Sequence, residues 1–249
     1  MAGAPSSPRP NPEGSAVSAL EIERLVQELV VAIDRRIEDL TSRPDTTTLP
    51  RQLAAGCLQR CCSALGAMRR LRDEFPDMNG VLIRNLWEAV IVGLDLLTGP
   101  DALQRLGGDM QANQRKLADA NPELADIRRV IAARGVDEDR FIVKDAAERV
   151  AQAVGGSDDA GYAMLYRGES TFGGHGLGLA MPYVDLTREP WRVVPKPGPI
   201  NVADANAQVG IGALFASLLA QHVFEAFGIG ADPIRVIHDR LAAALNAEP

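Results

Sequence analysis

The stretch VLIRNLWEAVIVGLDLL, residues 81–97, decides the fold of this chain. Its apolar side chains lie on nearly every side of a helix, and a helix of this kind usually lies buried at the centre of a domain. The run TGP that follows ends the pattern, because the residue before a proline disfavours helical geometry. We therefore predict a central, buried helix over about residues 78–97.

A single line of polar side chains interrupts this apolar helix. Successive residues turn by about 100°, so three ionisable groups fall within an arc of about 40°; they are Arg84, Glu88 and Asp95. Arg84 and Glu88 are one turn apart and within contact distance of each other. The line is either a solvated face or structural ion pair without chemistry, or the wall of a cleft, where buried charges need partners and often mark a site.

Helical spacing of apolar residues continues along most of the chain. The other predicted helices cover about residues 18–43, 50–75, 121–135, 140–154, 157–172, 204–227 and 232–246. No segment alternates between apolar and polar residues over any length, so the predicted fold class is all-α, a multi-helix bundle. A Pro-rich segment near 187–200 is predicted to be a long loop with one short strand-like piece at 191–194.

Finer predictions concern helix ends and contacts. The run Ser18 to Glu21 has the spacing of a capping box, and residues 1–15 are predicted to be a disordered tail before a single helical domain, 16–249. Gly210 and Gly212 are expected to permit close helix contact. The apolar face predicted for the second helix comprises Leu53, Cys57, Cys61, Ala64, Leu65, Met68 and Leu71.

Composition narrows the class of protein. The chain has 249 residues, of which 46% are hydrophobic but only 4% aromatic, as suits an aliphatic core between helices. The formal net charge of −7 argues against a nucleic-acid binder that relies on a broad basic surface. The N-terminus lacks the apolar core of a signal peptide, and we find no run of about 18 apolar residues, so we predict a cytoplasmic protein without a membrane span. The excess of arginine over lysine indicates a bacterial source.

A second segment of interest is YRGESTFGGHG, residues 166–176. On a helix, its tyrosine, glutamate and serine lie within about a third of a turn of each other, and the glycines free the following histidine from the helical period. We predict that this segment packs against the Arg84–Glu88 face of the central helix and completes a polar cleft. The glycines do not form a dinucleotide-binding fingerprint, since no strand precedes them. The candidate binding residues are Arg84, Glu88, Tyr166, Glu169, Ser170 and His175.

The two segments together resemble an uncharacterised family of bacterial all-helical proteins. That family has an R-x-x-x-E helix and a later segment written Y-x-x-x-S with a nearby histidine, and the resemblance covers roughly residues 50–185. It implies an all-helical fold and a site at Arg84, Glu88, Tyr166, Ser170 and His175. A more distant similarity is to HEPN helical domains, many of them ribonucleases with an R-x4–6-H motif. Here Arg167 and His175 have a longer spacing than that motif.

Cysteine and the remaining histidines offer weaker patterns. Cys57 and Cys61 share a helix face, and either hold zinc with a distant histidine or are small core residues. His222 and His238 lie on apolar helices, as ordinary packed histidines do. The sequence indicates neither a cofactor nor a metal.

Three functions are consistent with these patterns. The first is a binding or regulatory module for a small anionic ligand, held through Arg84 and His175. The second is a hydrolytic or HEPN-like ribonuclease-type enzyme, with His175 as acid or base and Glu88 or Glu169 as its partner. The third is a structural interaction protein in which helix 204–227 supplies the surface of a homodimer. RNA is the less favoured ligand because the chain is acidic.

Overall fold

The computed structural model describes residues 12–41, 48–72, 74, 78–120, 129, 141–154, 184–185, 192–193 and 202–247. Within these residues there are seven helices and one short pair of strands. The helices are α1 (Pro12–Thr41), α2 (Leu49–Leu71), α3 (Met78–Thr98), α4 (Ala102–Ala120), α5 (Val143–Val154), α6 (Val202–Ala226) and α7 (Asp232–Asn246). The strands are β1 (Val184–Asp185) and β2 (Arg192–Val193), which pair antiparallel. The predicted all-α fold is therefore confirmed.

Helices α3 and α6 form the centre of the bundle. Helix α3 packs against α2, α5 and α6, and makes a smaller contact with α4, while α6 packs against α1, α2, α3 and α7. Their shared core is aliphatic, as the low aromatic content indicates, with Phe224 as its largest fully buried side chain. The predicted role of residues 78–97 as a central buried helix is confirmed, because most faces of α3 are covered by neighbouring helices.

Glycines allow these helices to approach closely. A Cβ atom added at Gly93 of α3 would lie 2.8 Å from a methyl carbon of Leu219 on α6 and 3.2 Å from the Cβ of Cys57 on α2. The predicted role of Gly210 and Gly212 is confirmed in the same way. Gly210 lies against Ile22 and Leu245, and Gly212 faces side chains of α2 and α3.

Several predicted boundaries differ from those observed. Helix α1 begins at Pro12 rather than at Ser18, so residues 12–15 are helical. The predicted face of α2 was wrong in its first turns: Leu53 is 41% exposed, and Ala54 and Leu58 are fully buried instead. One residue turns a helix by about 100°, and these first turns direct the smaller alanine toward the core. Apart from residue 129, the predicted helix at 121–135 lies outside the described residues, as do the predicted helix at 157–172 and most of the Pro-rich loop. Strand β2 falls within the predicted strand-like piece.

The turn between α6 and α7 has a well-defined helix end. Gly228 has a φ of 67°, its N–H donates to the carbonyl oxygen of Glu225 at 2.9 Å, and the N–H of Ile229 donates to that of Phe224 at 2.7 Å. These two hydrogen bonds form a Schellman motif, in which glycine adopts the left-handed conformation at low cost. Ile229 and Phe224 are both buried, as the accompanying apolar contact requires.

Helix α6 also bears on two predictions of the sequence analysis. Residues Asn206–Ala226 are long and apolar enough to cross a membrane by length and composition, which the search for apolar runs overlooked. More than half of the apolar window within this stretch is buried inside the bundle. Much of α6 packs against α1, α2, α3 and α7, and the homodimer through this helix stays a prediction.

Candidate functional site

The polar line of α3 does not form a uniform solvated face. Arg84 and Glu88 are half-buried, and Asp95, the third member of the line, is fully buried. Ile91 lies between them on the helix and is covered by α5, through Ala146 and Ala147. The solvated-face interpretation is therefore wrong for the Asp95 end of the line, which is turned toward other helices.

Two arginines hold the buried carboxylate of Asp95. Arg149 on α5 donates from Nε to Oδ1 at 3.0 Å and from Nη2 to Oδ2 at 2.9 Å, a bidentate pair. Arg105 on α4 approaches both oxygens with Nη2 at 3.3 Å. Asp95 thus joins three helices through charge-assisted hydrogen bonds. We call these three residues the Asp95 cluster.

Packing between α5 and α3 places Arg149 in reach of the carboxylate. The buried face of α5 consists of Ala146, Ala147 and Val150, and the two alanines lie close to Ile91 and Trp87. Because alanine side chains are small, the axes of α5 and α3 can approach each other closely. Arg149 lies beside Val150 at the edge of this face, so its long side chain extends along the interface to the last turn of α3.

The turn after α3 leaves room for the same cluster. The N–H of Gly99 donates to the carbonyl oxygen of Asp95 at 2.7 Å. A Cβ atom at this glycine would lie 2.8 Å from Oδ1 of Asp95 and 3.1 Å from Nη2 of Arg105. A larger residue at Gly99 would therefore displace the carboxylate or the guanidinium that contacts it.

The Asp95 cluster carries more positive than negative charge. One carboxylate faces two guanidinium groups, and the hydrogen bonds with Asp95 raise the pKa of Arg149 above its ordinary value. The side chain of Arg105 is 17% exposed and that of Arg149 is 34% exposed, so the cluster reaches the surface. The Nε of Arg105 is buried and has no hydrogen-bond acceptor within the part of the chain that the structure describes.

Four of the six candidate binding residues fall outside the described residues: Tyr166, Glu169, Ser170 and His175. Their predicted packing against Arg84 and Glu88 stays a prediction. For Asp95, the sequence correctly raised the need for partners, but they come from α4 and α5. Sequence analysis did not single out Arg105 or Arg149.

The cysteines pack in the core, and His222 and His238 are half-buried. Cys61 is fully buried, and burial raises the pKa of Cys57 to about 11 and that of Cys62 to about 12. Among the described residues, no group of three His, Cys, Asp or Glu side chains is arranged to hold a metal ion. His238 pairs through Nδ1 with the Oγ of buried Ser217 at 2.7 Å, and this hydroxyl also donates to the carbonyl oxygen of Leu214 at 2.7 Å. The Ser217–His238 pair links α6 to α7.

Comparison of the chain with protein-family models, with curated proteins and with solved structures gives no match. The resemblance to the R-x-x-x-E family stays a prediction that rests on the residues quoted for it. Functional argument for this protein therefore starts from the polar line of α3 and from the Asp95 cluster.

Proposed function

We propose that this protein is a binding or regulatory module that takes up a small anionic ligand in a polar cleft along α3. Arg84 is the charged anchor of the ligand, with Glu88 beside it and His175 as a further contact. The observation that carries the proposal is the half-burial of Arg84 and Glu88 on a helix that packs against α2, α5 and α6. Burying ionisable side chains costs free energy. Such side chains are often found at sites that bind a ligand.

Arg84 is the appropriate anchor for physical reasons. A guanidinium group stays charged at all physiological pH values and binds carboxylate or phosphate oxygens in a bidentate manner. Its half-buried position on a central helix reduces the screening that weakens exposed charges. A ligand with a single anionic group matches this anchor better than a polyanion, because the chain as a whole is acidic.

A thermal-shift screen of the full chain tests the proposal. The compounds are nucleotides, carboxylate metabolites and short RNAs, because a ligand that binds the native state raises the melting temperature by linkage. We expect an anionic small molecule to raise it and Arg84→Gln to remove most of that rise. Arg115→Gln is the matched control, since it removes one charge from an exposed position on α4.

Two results obtained with variants would overturn the proposal. One is a rise that Arg84→Gln leaves intact while that variant keeps the wild-type circular dichroism spectrum. The other is metal-independent cleavage of a short RNA that His175→Gln abolishes, which would select the ribonuclease-type alternative instead. A screen without any anionic hit counts equally against the anionic class.

A further inference from the structure

The structure assigns a second anion site to the Asp95 cluster, at the end of α3 away from Arg84. We propose that Arg105 and Arg149 together bind a small oxyanion, a phosphate or carboxylate group, over the buried Asp95. Asp95 and Arg84 are about 16 Å apart along the helix at about 1.5 Å per residue. The proposed site is therefore separate from the cleft at Arg84.

The first argument is that the hydrogen-bond donors of the two guanidinium groups are not equally satisfied. Arg149 makes the short bidentate pair with Asp95, at 2.9 and 3.0 Å, and so takes up both carboxylate oxygens. Arg105 reaches the same oxygens only at 3.3 Å, through one nitrogen. Its buried Nε has no acceptor among the described residues. A buried donor without an acceptor is costly, and an oxyanion toward which the Arg105 side chain turns its Nε would remove that cost.

Local charge is the second argument. Two guanidiniums and one carboxylate leave one positive charge at a site that is mostly shielded from water. The C-terminal end of α3 adds roughly half a negative charge, but the N-terminal end of α4, which begins at Ala102, adds roughly half a positive one. Asp145 acts on Arg149 as well, but it is exposed and contributes the weakest of the interactions that shift the pKa of Arg149. Within the Asp95 cluster itself, the net charge is one positive unit.

Donor geometry determines the class of ligand. Once the contacts with Asp95 are counted, both Nη1 groups and the Nε of Arg105 remain as donors. A guanidinium fork matches two oxygens of one planar or tetrahedral oxyanion. A lone halide accepts no bidentate pair, so chloride is the appropriate control for ionic strength.

The experiment titrates the full chain with inorganic phosphate, sodium acetate and sodium chloride at equal ionic strength. We expect phosphate or acetate to raise the melting temperature saturably beyond chloride, and the ¹⁵N–¹H signal of Arg105 Nε to shift along the same curve. A response to phosphate alone identifies a phosphate-type ligand, and a response to acetate identifies a carboxylate. No response beyond chloride from either salt overturns the proposal.

Variants locate the effect. Arg105→Gln is expected to abolish the saturable rise while Asp95 keeps its pair with Arg149, and Arg105→Lys is expected to weaken it at least tenfold because lysine has no fork. Arg115→Gln on the same helix is expected to keep it. A rise that persists in Arg105→Gln refutes the site. A rise lost only in Arg84→Gln assigns the anion to the cleft of the proposed function instead.

Discussion

Replacing Asp95 by asparagine is the most direct test of the structural role of its cluster. The substitution keeps the shape of the side chain but removes its charge and turns one acceptor into a donor. It therefore disrupts the bidentate pair with Arg149 and leaves two guanidiniums facing each other across the last turn of α3. No other carboxylate contacts either guanidinium through a described hydrogen bond, so the loss is not compensated within the cluster.

The structure sets the size of the effect. Breaking a fully buried ion pair costs about 3–5 kcal/mol. Asp95 is completely buried, but the side chains of Arg105 and Arg149 are 17% and 34% exposed, so water can hydrate the released guanidiniums. We therefore expect the lower end, about 3 kcal/mol, which corresponds to a fall of about 6–12 °C in melting temperature for a chain of this length.

Urea denaturation followed by circular dichroism at 222 nm measures this loss. Asp239→Asn on α7 is the matched control, because Asp239 is exposed and its substitution should change the free energy of unfolding by less than about 0.5 kcal/mol. A double-mutant cycle with Arg149→Gln should give a coupling free energy above about 1 kcal/mol. A loss in Asp95→Asn no larger than in Asp239→Asn would refute the reasoning, as would additive single substitutions.

Three further predictions concern the packing of the bundle. Gly93→Ala should lower the free energy of unfolding by about 1–3 kcal/mol, because the added methyl would lie 2.8 Å from a leucine methyl of α6. Gly66→Ala, with open space around it, should raise the free energy of unfolding by about 0.5–1 kcal/mol. Equal effects of the two substitutions would contradict the close approach of α3 and α6. Gly228→Ala should cost about 1–2 kcal/mol, since its φ of 67° is strained for alanine, and an unchanged urea midpoint would argue against that conformation. Burial raises the pKa of Cys57 from 9.0 to about 11, so this thiol ionises at a lower pH in the unfolded chain than in the folded one. The contribution of the protonated thiol to the free energy of unfolding is therefore complete below pH 9 and is lost as the pH rises toward 11. Wild type should therefore lose more stability between pH 8 and pH 10.5 than Cys57→Ala, and identical pH profiles would contradict it.

The fold was predictable because helix signals in this chain are local. The TGP run ends the central helix within one residue of the observed end at Thr98, and Asp232-Pro233 starts α7 where proline is tolerated in the first turn. The rotation of α2 was not predictable in the same way. Leu53 and Ala54 both fit an apolar face, and which of them is buried depends on how α2 packs against α3, which helical spacing does not encode.

The candidate site was predictable only in part. The alignment of Asp95 with Arg84 and Glu88 follows from helical geometry, and it correctly indicated that the line needed partners. The identity of the partners did not follow, because Arg149 lies 54 residues away along the chain and the sequence is rich in arginine. The alanines of α5 mark its buried face, but only the packed structure shows that the adjacent Arg149 reaches Asp95.

Stability and anion binding should respond to Asp95→Asn in opposite directions if the second anion site exists. Removing the carboxylate lowers the stability of the free protein, since it disrupts the pair with Arg149. The same change raises the local charge from about one to about two positive units and frees the Arg149 fork for an oxyanion. Phosphate should therefore raise the melting temperature of Asp95→Asn by more than it raises that of wild type, measured against chloride at equal ionic strength. A purely structural cluster gives the loss of stability without any gain in the phosphate response, so an equal or smaller response in the variant would leave Asp95 as a packing residue alone.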